Sequence, residues 1–262
     1  MRLEPEILFE DNEFFKALKK RYEIGNQTIF LTTGQTNSGK TVFNVILYYL
    51  IKKGILKEKI DLEKCKMFYS IVDFAKDITQ MENEIIFYDE AGTELDIGEW
   101  NSIFNKTMRH ILQTQRVKRN FYFVLLPHIR HISYVLLPLF SFHIVMETHT
   151  HLNKKTDKME IIRIANIYKI IPQQTFSATR DYQDIKLLLR MKVPDIRKIE
   201  NKDFQGLYEK FHQIELQKKR DIAKKIEETT KAYLMKEKTT ELKIKRMYEQ
   251  EKQKWDKLKN VK

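Results

Sequence analysis

The chain has 262 residues, 42% of them hydrophobic, and its 48 Lys and Arg against 36 Asp and Glu give a formal net charge of +12 at pH 7. This hydrophobic content excludes a disordered chain, because disorder combines low hydrophobicity with high net charge. The single cysteine, Cys65, excludes an intrachain disulfide and a cysteine-based zinc site. The first ten residues contain no apolar signal core, and we expect a protein of a reducing compartment, the cytoplasm.

Strand-like and helix-like segments alternate along the first 150 residues. Short β-branched or aromatic runs predict strands, and apolar residues at helical spacing predict helices. The predicted strands are 28–33, 66–72, 84–88, 121–126 and 141–149, and the predicted helices are 12–21, 39–53, 74–81, 99–118 and one or two turns within 132–139. Such alternation predicts an α/β fold with a mainly parallel central sheet.

The sequence after residue 142 breaks this alternation. Extended runs at 143–151 and 159–170 flank a polar turn and predict a β-hairpin on the edge of the sheet. A short helix is predicted within 182–191, and the Lys- and Glu-rich sequence beyond Pro194 predicts long helices. The most apolar stretch, 121–146, contains prolines and charged residues and does not predict a transmembrane segment.

The clearest motif is a glycine-containing loop between the first predicted strand and the helix that follows it. It fits the pattern G-x-x-x-x-G-K-[ST] in full, and its predicted nucleotide-binding residues are Gly34, Gln35, Thr36, Asn37, Ser38, Gly39, Lys40 and Thr41. In such a loop the backbone N–H groups and the helix N-terminus attract phosphate oxygens. Lys40 is predicted to reach the β- and γ-phosphates of ATP, and the Thr41 hydroxyl to bind Mg²⁺.

Two carboxylates follow the third predicted strand. Asp89 is predicted to hold Mg²⁺, and Glu90 to orient or deprotonate the attacking water. A hydrolase uses separate groups for metal binding and for water activation, which favours this assignment. The alternative is a polar strand end that only opens a loop. Along the chain, the predicted strand 66–72 lies between the phosphate loop and the acidic pair.

These features resemble the additional-strand, catalytic-glutamate division of P-loop ATPases. The sequence Asp89-Glu-Ala-Gly, the basic helix, the strand 121–126 and the hairpin resemble the FtsK/HerA-type DNA-pumping ATPases, which include viral packaging ATPases, conjugative coupling proteins and Zot-like proteins. The resemblance covers about residues 26–171. That group usually has a γ-phosphate-sensing Gln at the tip of the fourth strand, where this chain has Pro127-His128. We predict that His128 takes this role, the alternative being a structural histidine.

The resemblance also implies an arginine finger, which a neighbouring subunit inserts to stabilise charge on the transferred phosphate. Arg109, Arg116 and Arg119 lie in the expected part of the sequence. Arg116 and Arg119, which immediately precede the fourth strand, are the predicted finger residues. The alternative is that they are solvated helix residues or DNA contacts.

We predict two domains, a P-loop ATPase domain at 1–195 with its core at about 26–171, and a basic helical C-terminal extension at 196–262. Residues 201–262 hold 18 Lys and Arg against 11 Asp and Glu. Their apolar residues recur at spacings of three, four and eight, which is typical of a helix with a narrow apolar stripe. A solvated helix or coiled-coil arm is one interpretation, and a segment that binds DNA phosphates or docks a partner protein is the other.

The predicted function is Mg²⁺-dependent ATP hydrolysis. The resemblance implies a self-associated ring, with a hexamer as one candidate size, that translocates or packages double-stranded DNA. One alternative is an AAA+-type helicase loader or replication initiator, against which the predicted hairpin argues. A second alternative is a nucleotide-binding assembly or scaffold protein with slow hydrolysis.

Overall fold

The computed structural model describes residues 12–63, 65–89, 106–107, 109–111, 113–114, 118–129, 137–153, 157–170, 185–195 and 199–259. The chain divides into two compact units, Met1–Ile214 and Glu215–Lys262. In chain order the elements are α1 (Glu13–Glu23), β1 (Thr28–Thr33), α2 (Lys40–Gly54), β2 (Lys66–Phe68), α3 (Ile71–Ile78), β3 (Ile85–Asp89), β4 (Phe121–Leu126), a 3₁₀ turn (Leu137–Leu139), β5 (Phe142–Asn153), β6 (Lys158–Ile170), β7 (Ile185–Lys192) and α4 (Lys202–Lys259).

The first unit is built on a seven-stranded sheet of order β2-β3-β4-β1-β5-β6-β7. Neighbouring strands from β2 to β5 are parallel, whereas β6 pairs antiparallel with both β5 and β7. The predicted α/β fold with a mainly parallel sheet is therefore confirmed. The extra strand predicted along the chain is β2, but the strand that lies between β1 and the acidic strand β3 is β4.

Alternate residues of the central strands point to opposite faces of the sheet, and both faces are buried. On one face the ring of Phe30 stacks on Phe123 at 4.6 Å, and Phe87 stacks on Phe123 at 4.9 Å. Helix α2 and the first turns of α4 cover this face, where Phe211 lies 4.6 Å from Phe87. The second cluster, on the other face, includes Phe74 of α3. Strands buried on both faces read as continuous apolar runs, which explains why β1 and β4 were predictable.

The predicted hairpin is confirmed as β5 and β6, which pair from Phe142↔Lys169 to Asn153↔Lys158. Its predicted position on the edge of the sheet is wrong, because β7 pairs with β6 and forms the edge strand. The short helix predicted within 182–191 is wrong, because Ile185–Lys192 forms strand β7 along β6. Hydrogen bonds offered by the free edge of β6 outweigh the weak local helix preference of this segment. The strand predicted at 66–72 is also too long, since the chain enters α3 at Ile71.

The predicted helices 99–118 and 132–139 lie largely outside the described residues. Residues 106–107, 109–111 and 113–114 are helical, and Leu137–Leu139 forms a 3₁₀ turn.

The second unit consists of α4 beyond Ile214. Its exposed face carries ion pairs at four-residue spacing, Lys219–Glu215 and Lys231–Glu227, each at 2.6 Å. The apolar side chains of Tyr233 and Met247 are each 65% exposed. Within the described part of the chain, no helix is both long and apolar enough to cross a membrane.

Candidate nucleotide-binding site

The residues predicted to bind the nucleotide and the metal meet at the carboxyl ends of three neighbouring parallel strands. Thr33 at the end of β1 pairs with Leu126 at the end of β4. Asp89 at the end of β3 pairs with Leu125 of the same strand. Parallel strands that end together form a crevice at their carboxyl edge, which is where open α/β sheets bind ligands.

The loop between β1 and α2 is shaped by backbone angles that glycine and asparagine tolerate best. Gly39 has φ +87° at the N-cap of α2, and Asn37 has φ +64°. Asn is enriched among the non-glycine residues that occupy this left-handed region. Left-handed residues alternating with others turn successive N–H groups towards one point, which makes a concave anion-binding surface at the positive end of a helix.

Gly34 is required because the loop begins against strand β5. A Cβ at this position would lie 2.7 Å from the Ser38 Oγ, 2.8 Å from the Met146 Cβ and 2.8 Å from the Met146 carbonyl oxygen. The Met146 carbonyl oxygen belongs to the backbone of β5 and cannot move without its strand. The motif glycine therefore allows the loop to pack closely on β5.

Lys40 begins helix α2, and the loop encloses its ammonium group. The Nζ donates hydrogen bonds to the carbonyl oxygens of Gly34, at 2.7 Å, and Gln35, at 3.0 Å. Ser38 closes the turn by donating its N–H to the Gln35 carbonyl at 3.1 Å. The loop thus holds a cation at the N-terminus of α2, and a lysine ammonium placed there can neutralise phosphate charge.

A buried asparagine ties this loop to the strand before it and the helix after it. Thr32 Oγ1 donates to Asn44 Oδ1 at 3.0 Å, and Asn44 Nδ2 donates to the Lys40 carbonyl at 2.8 Å. Strand, loop and helix together form the motif predicted from the sequence. The chain has a P-loop NTPase fold.

The oxygen donors predicted for Mg²⁺ suit that ion. Thr41 lies in the first turn of α2, and Asp89 is half-buried at the end of β3. Mg²⁺ prefers a few hydroxyl or carboxylate ligands with water and phosphate oxygens completing the shell. Among the described residues no group of three or more His, Cys, Asp and Glu side chains could hold a metal ion. Glu90 lies outside the described residues.

The remaining predicted site residues lie at opposite ends of β4. His128 follows the carboxyl end of β4, at the same edge of the sheet as the loop and Asp89. Arg119 precedes the amino end of β4 with φ +52°, and its guanidinium lies close to Gly25. Arg119 is therefore at the edge of the sheet away from the phosphate loop of its own chain. Arg116 lies outside the described residues.

Strand β5 contributes a buried histidine that the sequence did not reveal. His143 Nε2 and the Thr33 hydroxyl share a hydrogen bond of 2.9 Å, one residue before the loop. Burial lowers the pKa of His143 from 6.5 to about 4, so the ring is neutral at pH 7. The two residues are 110 positions apart, and no local pattern connects them.

The solved structures that are similar to this chain include the following two. The N-terminal domain of zonular occludens toxin from Neisseria meningitidis is 18% identical, with 56% of this chain and 86% of that chain covered and a TM-score of 0.33. The flagellar accessory protein FlaH from Methanocaldococcus jannaschii is 12% identical, with 66% and 95% covered and a TM-score of 0.29. No protein-family model and no curated protein sequence matches the chain. The fold assignment rests on the loop geometry and the sheet order.

Proposed function

We propose that the protein is a Mg²⁺-dependent ATP hydrolase. The observation that carries this proposal is the loop Gly34–Lys40, in which the Lys40 ammonium is held by two loop carbonyls at the N-terminus of α2. A loop of this form binds the phosphates of a nucleotide, and Asp89 at the end of β3 and Glu90 after it would supply the metal ligand and the base that hydrolysis also needs.

Each residue of the proposed site has a separate role. Lys40 and the loop N–H groups hold the β- and γ-phosphates, while Thr41 and Asp89 hold Mg²⁺, which would neutralise charge on the phosphate oxygens. Glu90 orients and deprotonates the attacking water. His128, at the carboxyl end of β4, donates a hydrogen bond near the terminal phosphate.

We further propose that hydrolysis drives the movement of double-stranded DNA by a ring of identical subunits. Three observations support this. A strand between the phosphate-loop strand and the acidic strand is the arrangement for which the additional-strand division is named, and here it is β4. A hairpin follows the core, as in the DNA-pumping ATPases that the sequence resembles. The net charge of +12 suits a polyanionic partner.

In such a ring Arg116 or Arg119 would complete the site of the neighbouring subunit. The location of Arg119 at the far edge of its own sheet suits a residue that acts between subunits. Replacing either arginine with alanine should abolish turnover and leave ATP binding unchanged, measured by steady-state hydrolysis and equilibrium titration. Full turnover in both variants would contradict the assignment.

The test of the main proposal is ATP hydrolysis with and without duplex DNA. We expect Lys40→Ala to lose nucleotide binding, and Glu90→Gln to bind ATP without hydrolysing it and to accumulate as an oligomer. Duplex DNA should stimulate the unaltered protein. If the protein binds no nucleotide, the proposed ATP hydrolysis is overturned. If duplex DNA does not stimulate ATP hydrolysis, only the proposed movement of DNA is overturned.

A scaffold protein with slow hydrolysis is the second candidate, and the second unit favours it. Large apolar residues recur at every eleventh position of α4, starting at the last buried residue of the first unit. They are Phe211, Ile222, Tyr233, Ile244 and Trp255. An 11-residue period keeps one helix face apolar and is typical of helices that associate. In the Glu90→Gln variant a scaffold should keep its assembly function, whereas a motor should be trapped as an oligomer that no longer hydrolyses ATP or moves DNA.

A further inference from the structure

Arg163 of strand β6 lies against the phosphate loop, and no motif includes it. Its Nε donates a hydrogen bond to the Asn37 carbonyl at 3.4 Å. Its Cδ would be 2.7 Å from a Cβ placed on Gly39, so the side chain packs against the loop at that glycine. The contact therefore involves two of the three loop positions that have a positive φ, Asn37 and Gly39.

The hairpin holds Arg163 beyond the end of β1. Strand β1 pairs with β5 only as far as Thr33↔Val145, whereas Arg163 is opposite Thr148. The hairpin therefore extends three residues, or about 10 Å, beyond the end of the pairing between β1 and β5. The Arg163 carbonyl accepts a hydrogen bond from the Val193 N–H at 2.8 Å, so strands on both sides fix its backbone. A side chain on such a paired strand is well placed for a precise contact.

Sheet order decides which part of a bound nucleotide Arg163 faces. The acidic strand β3 lies two strands from β1 on one side, and β6 lies two strands from β1 on the other. Water activated by the carboxylates attacks the terminal phosphate, which must therefore face β3. The β6 side borders the phosphates nearer the nucleoside.

We propose that Arg163 is a nucleotide-positioning residue that acts within its own subunit. Its Nε holds the turn at Asn37, and its other N–H groups bind the nucleoside-proximal phosphates of a nucleoside di- or triphosphate. A guanidinium has five N–H donors in a planar fork that matches phosphate oxygens. Among the described residues, the Asn37 carbonyl is the one hydrogen-bond acceptor that the structure gives this side chain. The inference rests on the proposed nucleotide site.

The experiment measures the equilibrium binding of ADP and of ATP with Mg²⁺ to Arg163→Ala, Arg163→Lys and Arg163→Gln. The control is Arg190→Ala, which removes the same charge from the neighbouring strand β7, where Arg190 faces Glu147 at 3.9 Å. We expect Arg163→Ala to weaken both nucleotides by about ten- to a hundredfold, the usual effect of losing a hydrogen bond from a charged group. Arg163→Lys should restore part of the affinity, and Arg190→Ala should bind both nucleotides as tightly as the unaltered protein does.

Steady-state kinetics separates this role from a purely structural one. Positioning through the nucleoside-proximal phosphates predicts a raised KM for ATP with kcat changed by less than about twofold. A lowered kcat at unchanged KM would overturn the proposal. Weakened ATP binding with unchanged ADP binding would also overturn it, because the cation would then contact the terminal phosphate.

The two proposals fail in different ways. If the unaltered protein binds nucleotide and Arg163→Ala binds equally well, the role proposed for Arg163 is wrong and the nucleotide site stands. If the unaltered protein binds none, the proposed function fails first. Should thermal unfolding show that Arg163→Ala is poorly folded, Arg163→Gln decides, because it keeps the packing over Gly39 and removes the charge. Unaltered ADP affinity in that variant would overturn the inference.

Discussion

The hydroxyl of Thr32 donates a 3.0 Å hydrogen bond to Asn44, and both residues are completely buried. Asn44 donates in turn to the carbonyl of Lys40, the residue that the loop encloses. The geometry of the turn from strand to helix therefore depends on two neutral side chains inside the core. Their contribution can be measured separately from any contact with a nucleotide.

Replacing Asn44 with Leu should destabilise the fold by about 1–3 kcal/mol, because the buried Thr32 hydroxyl loses its acceptor. Adding Thr32→Val should recover much of that stability, since an apolar pair leaves no unsatisfied group. Urea unfolding of the two single variants and the double variant gives the coupling energy. Strictly additive effects would show that the two side chains do not depend on each other.

The two glycines of the loop should respond differently to alanine. Gly39→Ala imposes a left-handed φ on alanine, at about 1–2 kcal/mol, but the Arg163 side chain can move away from the new methyl group. Gly34→Ala meets a backbone oxygen of β5 and forces the loop itself to shift. We therefore expect Gly34→Ala to lose more nucleotide affinity than Gly39→Ala, by roughly tenfold for each 1.4 kcal/mol of distortion.

Gly206 provides the control for these substitutions. It lies in helix α4, and a Cβ there would meet only the Leu62 Cδ1, at an ordinary 3.7 Å. Gly206→Ala should stabilise the protein by about 0.5–1 kcal/mol and leave nucleotide affinity unchanged. Equal nucleotide affinity in the Gly34 and Gly39 variants would contradict the steric account of the loop.

How much of the structure could be predicted from the sequence depends on how far apart along the chain the interacting residues lie. The phosphate loop and strands β1 and β4 were predictable because a few adjacent residues determine them. Strand β7 was not, because its conformation depends on the free edge of β6. The contacts of Thr33 with His143 and of Arg163 with Asn37 join residues 110 and 126 positions apart, and only the folded sheet brings them together.

Stability should fall as the pH falls from about 6.5 to about 4, because of His143. Its pKa is about 4 in the folded protein and 6.5 when solvated, so the unfolded chain takes up the proton first. The contribution of neutral His143 to the free energy of unfolding is complete above pH 6.5. It decreases between the two pKa values and is absent below pH 4. A shift of this size corresponds to about 3 kcal/mol.

The measurement is the free energy of unfolding across that pH range for the protein and for His143→Gln, whose amide can still bond to Thr33. Carboxylates titrate in both proteins, so the difference between the two curves isolates His143. We expect the variant to lose less stability on acidification. Parallel curves would assign the pH dependence to other groups.

The burial of the first turns of α4 determines where the helix beyond Ile214 can be removed. Phe204, Leu207 and Phe211 are completely buried in the first unit, so deleting residues 201–262 would remove part of its core. A chain that ends at Ile214 keeps these side chains and omits residues 215–262, which carry 16 Lys and Arg against 9 Asp and Glu.

If the second unit binds DNA phosphates, the shortened chain should bind duplex DNA more weakly and with a shallower dependence on salt, by about 0.9 in the log–log slope for each phosphate that is no longer neutralised. Fluorescence anisotropy at several salt concentrations measures both quantities. Nucleotide affinity is the control and should not change, because the phosphate loop belongs to the first unit. An unchanged slope would assign the DNA-binding surface to the first unit, where the excess of positive charge is smaller.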